Sequence, residues 1–268
     1  MQKLKFWKMS GAGNDFVLLA EEGQPAAALK KLAVRLCDRP DGVGADGLLC
    51  VGRSGAGQVS VRYFNRDGSE AFCGNGSRCA ALWACEYGLA GGWAFTLSTS
   101  AGELAAEIMS QTEVRMRMPP VKRVSLRHKG AWSKPVKTLH FLDTGVPHAV
   151  VPVEDVEKVN VAETGAALRR HKAFGAGGAN VNFVQAGKGL LKVRTFERGV
   201  EAETLACGTG ITASAVALGL DLGLASPVAV QARSGDRFKV WFTPDGNGAS
   251  EIAVQGPART VFTGEIYV

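Results

Sequence analysis

The sequence predicts an α+β fold of two pseudo-symmetric halves, each a curved sheet or barrel of short strands around one central apolar helix. A repeated motif is the first observation, since Cys73-Gly74-Asn75-Gly76 has its counterpart in Cys207-Gly208-Thr209-Gly210. Each motif opens a long run of small and apolar residues, which is the pattern of a buried helix. The two motifs also occupy matching places in two similar stretches of chain, which indicates an internal duplication.

The duplication rests on three matches that occur in the same order in both halves. They are residues 61–66 with residues 193–198 at an offset of 132, Cys73 with Cys207 at an offset of 134, and residues 100–103 with residues 233–236 at an offset of 133. Pro119 and Pro120 separate the halves, because proline is excluded from central strands. We therefore predict an N-terminal half of residues 1–120 and a C-terminal half of residues 121–258, with residues 259–268 returning to the first half as a strand.

The first half begins with strand patterns around one amphipathic helix. We predict strands at residues 3–8, 16–20, 48–51 and 59–65, and a helix that begins at Pro25 or just after it and ends at Cys37. The helix has apolar residues at helical spacing, and residues 59–65 alternate with the period of a half-buried strand. A hairpin near Gly102, and its counterpart near Gly235, should close each half.

The segments after the two motifs, residues 77–87 and 211–222, are apolar on nearly every face. The motif glycines are read as a tight turn that leads into each helix. A helix without a polar face must be enclosed, so we expect strands to surround each one. A helix N-terminus exposes unpaired N–H groups and partial positive charge, so Cys73 and Cys207 are predicted to be unusually acidic thiols.

The composition disfavours several classes of function. The formal net charge is +6 in 268 residues, but the basic clusters lack interleaved aromatic residues, which argues against nucleic acid and suits an anionic small-molecule substrate. Residues 204–220 are uncharged but rich in Gly, Ala and Thr, so we predict a buried helix and no membrane contact. The six cysteines show neither metal-binding spacing nor a secreted disulfide framework, and no signal peptide is recognisable. We therefore expect a cytoplasmic protein.

The motifs of this chain resemble those of the diaminopimelate epimerase family over the whole length. The matching segments are residues 11–16, 42–47, 65–76, 145–148, 180–183, 197–199 and 203–210. Two positions depart from the family pattern, because Val146 stands where Asn is frequent and Gly47 stands where some members carry Gln. The resemblance therefore implies no amide contact with substrate at these two positions. The expected consequence is a change in substrate affinity.

The resemblance implies a cofactor-independent isomerase that converts LL-diaminopimelate to meso-diaminopimelate, in lysine and cell-wall precursor biosynthesis. Cys73 and Cys207 would be catalytic, one as thiolate base and the other as thiol acid on the opposite face of the α-carbon. No cofactor and no metal are implied. Backbone N–H groups at the two helix N-termini would hold the substrate α-carboxylate. The residues concerned are Gly74, Asn75, Gly208 and Thr209.

The remaining site residues are also carried over from the family. Three asparagines would contact chiefly the distal amino-acid end of the substrate, namely Asn14, Asn65 and Asn182. Arg198 would bind the distal carboxylate, which suits a bidentate guanidinium. Glu197 would contact the substrate, and Glu197 and His148 would adjust the pKa values of the catalytic cysteines. The expected partner is diaminopimelate, and a homodimer is possible because many members of the family dimerise.

Other interpretations of the same residues stay open. A proline or hydroxyproline racemase, or a 3-hydroxyproline dehydratase, shares the architecture and a Cys-Gly pair, although the asparagines and Arg198 favour a substrate with two amino-acid ends. A thiol redox protein would use a Cys73–Cys207 disulfide but normally shows Cys-x-x-Cys. A non-catalytic binding protein would have little reason to keep both thiols.

Structural roles are the alternative for individual residues. The asparagines suit turns and helix caps, and Arg198 suits a surface salt bridge with Glu197 or Glu201. The four remaining cysteines are predicted to be small buried packing residues. They are Cys37, Cys50, Cys79 and Cys85.

Overall fold

The computed structural model describes residues 3–21, 23–55, 57–132, 136–246 and 248–268. The chain divides into two compact units, one formed by Met1–Met116 with Gly256–Val268 and the other by Arg117–Gln255. In the described residues, each unit consists of short strands and two α-helices. The predicted α+β class is therefore confirmed.

The first unit leads through four strands and a helix to its central helix. Its elements are β1 Lys3–Gly11, β2 Asn14–Ala20, α1 Ala26–Cys37, β3 Gly47–Gly55, β4 Gln58–Asn65, β5 Glu70–Ala71, α2 Gly74–Glu86, β6 Ala94–Thr99, β7 Gly102–Ser110 and β8 Glu113–Arg117. All four strands predicted here are present, and each is longer than predicted. Pro25 lies just before the first turn of α1, where the missing N–H of proline costs nothing.

The second unit repeats this order of elements. It contains β9 Lys122–Ser125, β10 His140–Asp143, β11 Pro147–Pro152, α3 Val161–Arg169, β12 Asn180–Ala186, β13 Leu191–Glu197, β14 Ala202–Thr204, α4 Gly208–Leu222, β15 Val228–Gln231, β16 Arg237–Asp245 and β17 Gly248–Pro257. The last strand, β18 Arg259–Tyr267, pairs antiparallel with β1. A strand from the end of the chain thus completes the first unit.

Strand pairing follows one scheme in both units. In the first unit β2 is parallel to β3, β3 is antiparallel to β4, and β4 is parallel to β6. In the second unit β11 is parallel to β12, β12 is antiparallel to β13, and β13 is parallel to β15. The predicted hairpins are β6–β7 and β15–β16, which turn near Gly102 and Gly235. The repeated pairing confirms two pseudo-symmetric halves.

The two central helices, α2 and α4, are enclosed as predicted. Residues 75–84 of α2 and residues 210–219 of α4 are all buried. The core around α2 includes Trp7, Phe16, Leu49 and Leu97 from four different strands. A separate cluster on α1 holds Leu29 and Leu36. No helix in the described part of the chain is long and apolar enough to cross a membrane.

Both central helices begin three residues earlier than the sequence predicts. The glycines of the motifs were expected in a tight turn, but α2 begins at Gly74 and α4 at Gly208. None of the four motif glycines has a positive φ, so they serve no left-handed turn. Cys73 and Cys207 are the N-cap residues, directly at the positive end of each helix.

Close packing explains why glycine stands in the first helical turn. A Cβ at Gly76 would lie 3.0 Å from Cδ2 of Leu49 on β3. A Cβ at Gly210 would overlap Oδ1 of Asn182 on β12 and lie 3.3 Å from its Cγ. Each glycine therefore lets the start of a central helix lie directly against a strand, which is a tertiary requirement that local turn patterns do not contain.

Candidate functional site

Cys73 is held at the N-terminus of α2 by three short-range contacts. The N–H of Gly76 donates to its Sγ at 3.4 Å. Its carbonyl accepts the N–H of Ser77 at 2.8 Å and the hydroxyl of Ser77 at 2.9 Å. The side chain is half-buried, and the N–H contact and the helix end both favour negative charge on the sulfur. This arrangement suits a thiolate base.

Asn14 and Asn75 are brought together beside Cys73, although 61 residues separate them. Nδ2 of Asn75 donates to Oδ1 of Asn14 at 2.7 Å. Nδ2 of Asn14 in turn donates to Oδ2 of Asp46 at 2.9 Å. Asn75 is buried in the first turn of α2, whereas Asn14 is half-buried at the start of β2. Two of the asparagine-type site residues predicted for this unit therefore share one network.

A compact ion cluster anchors this network. Arg39 Nη2 lies 2.9 Å from both Asp15 Oδ1 and Asp46 Oδ1. Lys8 donates to Asp15 Oδ2 at 2.7 Å and also to the carbonyl of Gly44. Burial by itself would raise the pKa of Asp15, but hydrogen bonds from Arg39 and Lys8 outweigh it and lower that pKa. The cluster stays charged and holds β2 against the loop before β3.

Asn65 ends β4 and takes part in a turn. Its Nδ2 donates to Oγ of Ser69 at 2.9 Å, and its carbonyl accepts the N–H of Gly68 at 2.8 Å. The turn role that was the alternative for this residue is therefore present. Asn65 is half-buried and pairs with Gly47 across the strands, and its contact with substrate stays a prediction.

Gly47, one of the two departures from the family pattern, is explained by Tyr63. A Cβ at Gly47 would lie 2.6 Å from the carbonyl oxygen of Phe64 and 2.7 Å from the Tyr63 hydroxyl. The Tyr63 ring also meets Phe16 edge to face, with ring centroids 5.9 Å apart. The phenol therefore occupies the space that a longer side chain at position 47 would take.

Cys207 occupies the equivalent place in the second unit, with different contacts. It is buried, and its carbonyl accepts the N–H of Ile211 at 2.8 Å. Its Sγ lies 3.4 Å from Oγ1 of Thr209, in place of the backbone cap bond made by Cys73. The carbonyl of Thr209 accepts the Thr144 hydroxyl at 3.4 Å. The first turn of α4 is thus tied to the loop before β11.

His148 and Asn182 form a buried amide–imidazole pair beneath α4. Both side chains are completely buried, and Nδ2 of Asn182 lies 3.0 Å from Nδ1 of His148. Asn182 also accepts the Thr195 hydroxyl at 3.0 Å and donates to the carbonyl of Ala149 at 3.3 Å. Burial lowers the pKa of His148 to about 3, so the imidazole is neutral in ordinary buffers. Its part in adjusting the cysteines stays a prediction.

Asn180 links His148 to Arg198, and it was not predicted as a site residue. Its Nδ2 lies 3.4 Å from Nε2 of His148, and its Oδ1 accepts the backbone N–H of Arg198 at 2.7 Å. Asn180 stands opposite His148 in the parallel pair β11–β12, so strand register brings the two together. The backbone of Arg198 is therefore fixed by a buried amide.

Arg198 does not form the surface salt bridge that was its structural alternative. In the described residues, Glu201 pairs with Arg169 at 2.7 Å and Arg170 at 3.1 Å, and Arg198 has no ion pair with it or with Glu197. Burial raises the pKa of Glu197, and the neighbouring Thr204 hydroxyl partly offsets this. A half-buried guanidinium that forms no ion pair within the described part of the chain suits an external carboxylate.

Three of the four remaining cysteines are buried as predicted, and the fourth, Cys85, is not. Cys37, Cys50 and Cys79 are buried, and burial raises the pKa of each thiol to about 12. Cys85 is half-buried, and burial raises its pKa as well. These thiols stay protonated near neutral pH, so they are unsuited to act as a base.

The fold defines the class to which this protein belongs. It is similar to a PhzF-family phenazine biosynthesis protein from Bacillus anthracis, with a TM-score of 0.78 and 16% sequence identity over 100% of both chains. It is also similar to a hydroxyproline epimerase from Agrobacterium vitis, with a TM-score of 0.71 and 17% identity over 98% of this chain and 92% of that chain. The chain therefore has the two-half fold found in PhzF proteins and in epimerases.

Sequence similarity identifies the family within this class. The family model described as Diaminopimelate epimerase matches residues 6–124 and 140–261. A diaminopimelate epimerase from Aquifex aeolicus is 40% identical over 277 residues, covering 98% of both chains. A diaminopimelate epimerase from Chlorobaculum tepidum is 38% identical over 265 residues, covering 96% of this chain and 99% of that one. This chain belongs to the diaminopimelate epimerase family, and it is an isomerase.

Proposed function

We propose that this protein interconverts LL- and meso-diaminopimelate by a two-cysteine acid–base mechanism. The observation that carries the proposal is that Cys73 and Cys207 are each the N-cap of an enclosed helix, in two units with the same strand order and pairing. Membership of the family suggests the substrate. Repeated placement of the same reactive group suits a reaction that treats two opposite faces of one carbon.

Epimerisation requires that the α-proton leave one face of the carbon and that a proton arrive at the other. One cysteine, as thiolate, takes the α-proton, and the electron pair of the broken C–H bond delocalises into the α-carboxylate. The other cysteine, as thiol, then donates its proton to the opposite face. In the reverse reaction the two residues exchange roles. Each turnover leaves the proton on the thiol that began as the thiolate, so a proton transfer restores the starting state.

Backbone groups at the helix N-termini are proposed to stabilise the charge that develops on the α-carboxylate. The groups are the N–H donors at Gly74, Asn75, Gly208 and Thr209. Fixed donors at a helix N-terminus bind anions and need no rearrangement as the charge grows. Asn182 supports this turn in the second unit, because its amide lies against Gly210.

Several side chains are proposed to bind the distal amino-acid end of the substrate. Arg198 binds the distal carboxylate, and Asn14 and Asn65 contribute amide groups. Glu197 and His148 are proposed to influence the protonation of the catalytic thiols. We further propose that the enzyme works in the cytoplasm, in lysine and cell-wall precursor biosynthesis, and that it forms a homodimer.

Proton NMR in heavy water tests the proposal directly. The wild-type enzyme should convert LL-diaminopimelate to the meso isomer and replace the α-proton with deuterium. Cys73→Ala and Cys207→Ala should each lower the rate of inversion by about a hundredfold to ten-thousandfold, which is the usual contribution of a general acid or base. Cys85→Ala is the matched control, since Cys85 is a half-buried thiol near the other end of α2.

Two outcomes would contradict the proposal. If Cys207→Ala inverted the substrate at nearly the wild-type rate, a two-thiol mechanism would be wrong. If L-proline were racemised while diaminopimelate stayed unchanged, the racemase alternative would replace it. Both substrates are therefore run in parallel with the same enzyme preparations.

A further inference from the structure

Four polar side chains of the first unit form a continuous line of hydrogen bonds, which we call the amide relay. It consists of Arg78, Asn75, Asn14 and Asp46 in that order. Arg78 Nη2 donates to Oδ1 of Asn75 at 2.6 Å, Asn75 Nδ2 donates to Oδ1 of Asn14 at 2.7 Å, and Asn14 Nδ2 donates to Oδ2 of Asp46 at 2.9 Å. The relay begins inside α2 and ends at the loop before β3.

The chemistry of its two ends gives the relay a single direction. A guanidinium has only donors, so Asn75 must turn its carbonyl oxygen toward Arg78. Its NH₂ group then faces Asn14, which must present an oxygen to it. Asn14 consequently turns its own NH₂ group toward Asp46, whose carboxylate only accepts. Neither asparagine can rotate its amide by 180° without placing like groups in contact.

Arg78 is an unusual residue at its position. It lies in the stretch of α2 where every residue from 75 to 84 is buried, and it is only 3% exposed. A buried charge is costly unless hydrogen bonds satisfy it. Its Nε donates to the carbonyl oxygen of Pro257 at 3.4 Å, and its Nη2 donates to Oδ1 of Asn75. A purely apolar residue would meet the packing need of this helix, so the guanidinium itself requires an explanation.

Asp46 is fixed at the other end by groups outside the relay. Arg39 Nη2 lies 2.9 Å from Oδ1 of Asp46, and the backbone N–H of Asp15 donates to Oδ2 at 3.3 Å. The backbone of β2 and the ion cluster therefore fix the position of the carboxylate independently of its hydrogen bond with Asn14. Both ends of the relay are anchored, one in a helix and one in a loop.

The relay leaves Asn14 with defined groups for a ligand. Among the described residues, none takes up its second amide hydrogen or the second lone pair of its oxygen. Asn14 is half-buried, and the relay places the donor and the acceptor of its amide on known sides. An amino-acid end carries an ammonium that needs an acceptor and a carboxylate that needs a donor. A reversed amide would offer each of them the wrong group.

We propose that Arg78 and Asp46 are positioning residues that set the direction of the Asn14 amide toward the amino-acid end of the substrate. The identity of that substrate rests on the proposed function. The direction of the relay does not, because it follows from the donor and acceptor chemistry of the protein alone.

The test combines steady-state kinetics with NMR of the asparagine side-chain amides in selectively ¹⁵N-labelled enzyme. In Arg78→Met the carbonyl of Asn75 loses its donor, so KM should rise about tenfold to a hundredfold while kcat changes less than fivefold, and the NH₂ resonances of Asn14 should shift. Arg78→Lys should recover part of the affinity, because an ammonium can still donate. Arg35→Met is the control, since the side chain of Arg35 is bonded to a backbone carbonyl, that of Tyr267, and lies outside the relay.

Asp46→Asn probes the other end and keeps the size of the side chain. Asp46 is half-buried, so this variant remains informative if Arg78→Met fails to fold. An amide at position 46 can donate as well as accept, so the NH₂ resonances of Asn14 should again shift and KM should rise. Unchanged Asn14 resonances together with unchanged KM in a folded variant would overturn the inference. A wild-type enzyme inactive on diaminopimelate would contradict the proposed function, whereas the Asn14 resonances would still decide whether the relay sets the amide.

Discussion

Replacing Gly210 by Ala should be far more damaging than replacing its counterpart Gly76. A methyl group at Gly210 would overlap Oδ1 of Asn182, which is completely buried and bonded to Thr195. A methyl group at Gly76 would instead meet the end of the Leu49 side chain at 3.0 Å, and that end can move. The two substitutions are chemically identical, so their difference isolates the tertiary contact.

The magnitude follows from three effects at Gly210. Overpacking in a well-packed site costs about 1–3 kcal/mol, and a displaced buried amide that loses a hydrogen bond costs about 1–3 kcal/mol more. Alanine regains about 0.5–1 kcal/mol of helix propensity over glycine. We therefore expect Gly210→Ala to lower the free energy of unfolding by about 1–5 kcal/mol. Gly76→Ala should change it by less than about 1 kcal/mol.

Urea denaturation followed by far-ultraviolet circular dichroism measures both values. Gly74→Ala serves as a stability control, because a Cβ at that position would meet no atom of the described residues within 4 Å outside its chain neighbours and its own helix backbone. Inversion of diaminopimelate should also slow in Gly210→Ala, since the turn that carries Cys207 must move away from β12. If Gly210→Ala were as stable as Gly76→Ala, the contact between α4 and Asn182 would not be as close as described.

Three further expectations concern individual side chains. Arg198→Ala should lower kcat/KM on diaminopimelate about tenfold to a few hundredfold, since a hydrogen bond to a charged group is worth about 1.5–3 kcal/mol. Arg170→Ala is the control and should change kcat/KM little. Burial holds the pKa of His148 near 3, below an unfolded value of about 6.5. The contribution of His148 to stability is therefore complete above about pH 6.5. It declines as the pH falls, because the unfolded chain takes up the proton first. Wild type should therefore lose about 2 kcal/mol between pH 7.5 and pH 5 that His148→Gln does not lose, as urea midpoints would show; equal losses would contradict the assignment. Gly47→Gln should destabilise the protein, and adding Tyr63→Ala should recover part of the lost free energy of unfolding in a double-mutant cycle. If the two substitutions were additive, the phenol would not occupy the space beside position 47.

The positions of Cys73 and Cys207 at the helix N-termini could be predicted from sequence because their signals are local. Cys73 and Cys207 each precede glycine and a long apolar run, and this pattern is contained within about fifteen residues. Arg78 also has a sequence signal, because it is a lone charge in a helix predicted to be enclosed. Asn180 had no comparable signal, because its importance comes from lying opposite His148 in the parallel pair β11–β12.

Two asparagines predicted to contact substrate have partners inside the protein, and their contact with substrate stays a prediction. Asn182 was predicted to contact substrate, and it is a completely buried amide bonded to Thr195 and the carbonyl of Ala149. Asn65 was predicted as a substrate contact, and its amide nitrogen is bonded inside a turn. A pattern of residue types can show that an amide is needed at a position, but the partner of that amide depends on which strands are neighbours.

By itself, the sequence determined the first strands and helix of the N-terminal half, the two enclosed helices, the duplication, and the two cysteines at the helix N-termini. These features depend on hydrophobic period, glycine and proline, which act over a few residues or recur along the chain. Only the tertiary structure decided that Asn75 meets Asn14 across 61 residues, that Tyr63 fills the space beside Gly47, and that β18 pairs with β1. Contacts of this kind require the strands to be paired and the core closed, because a hydrogen bond between distant residues is worth about 1 kcal/mol and cannot order the chain between them alone.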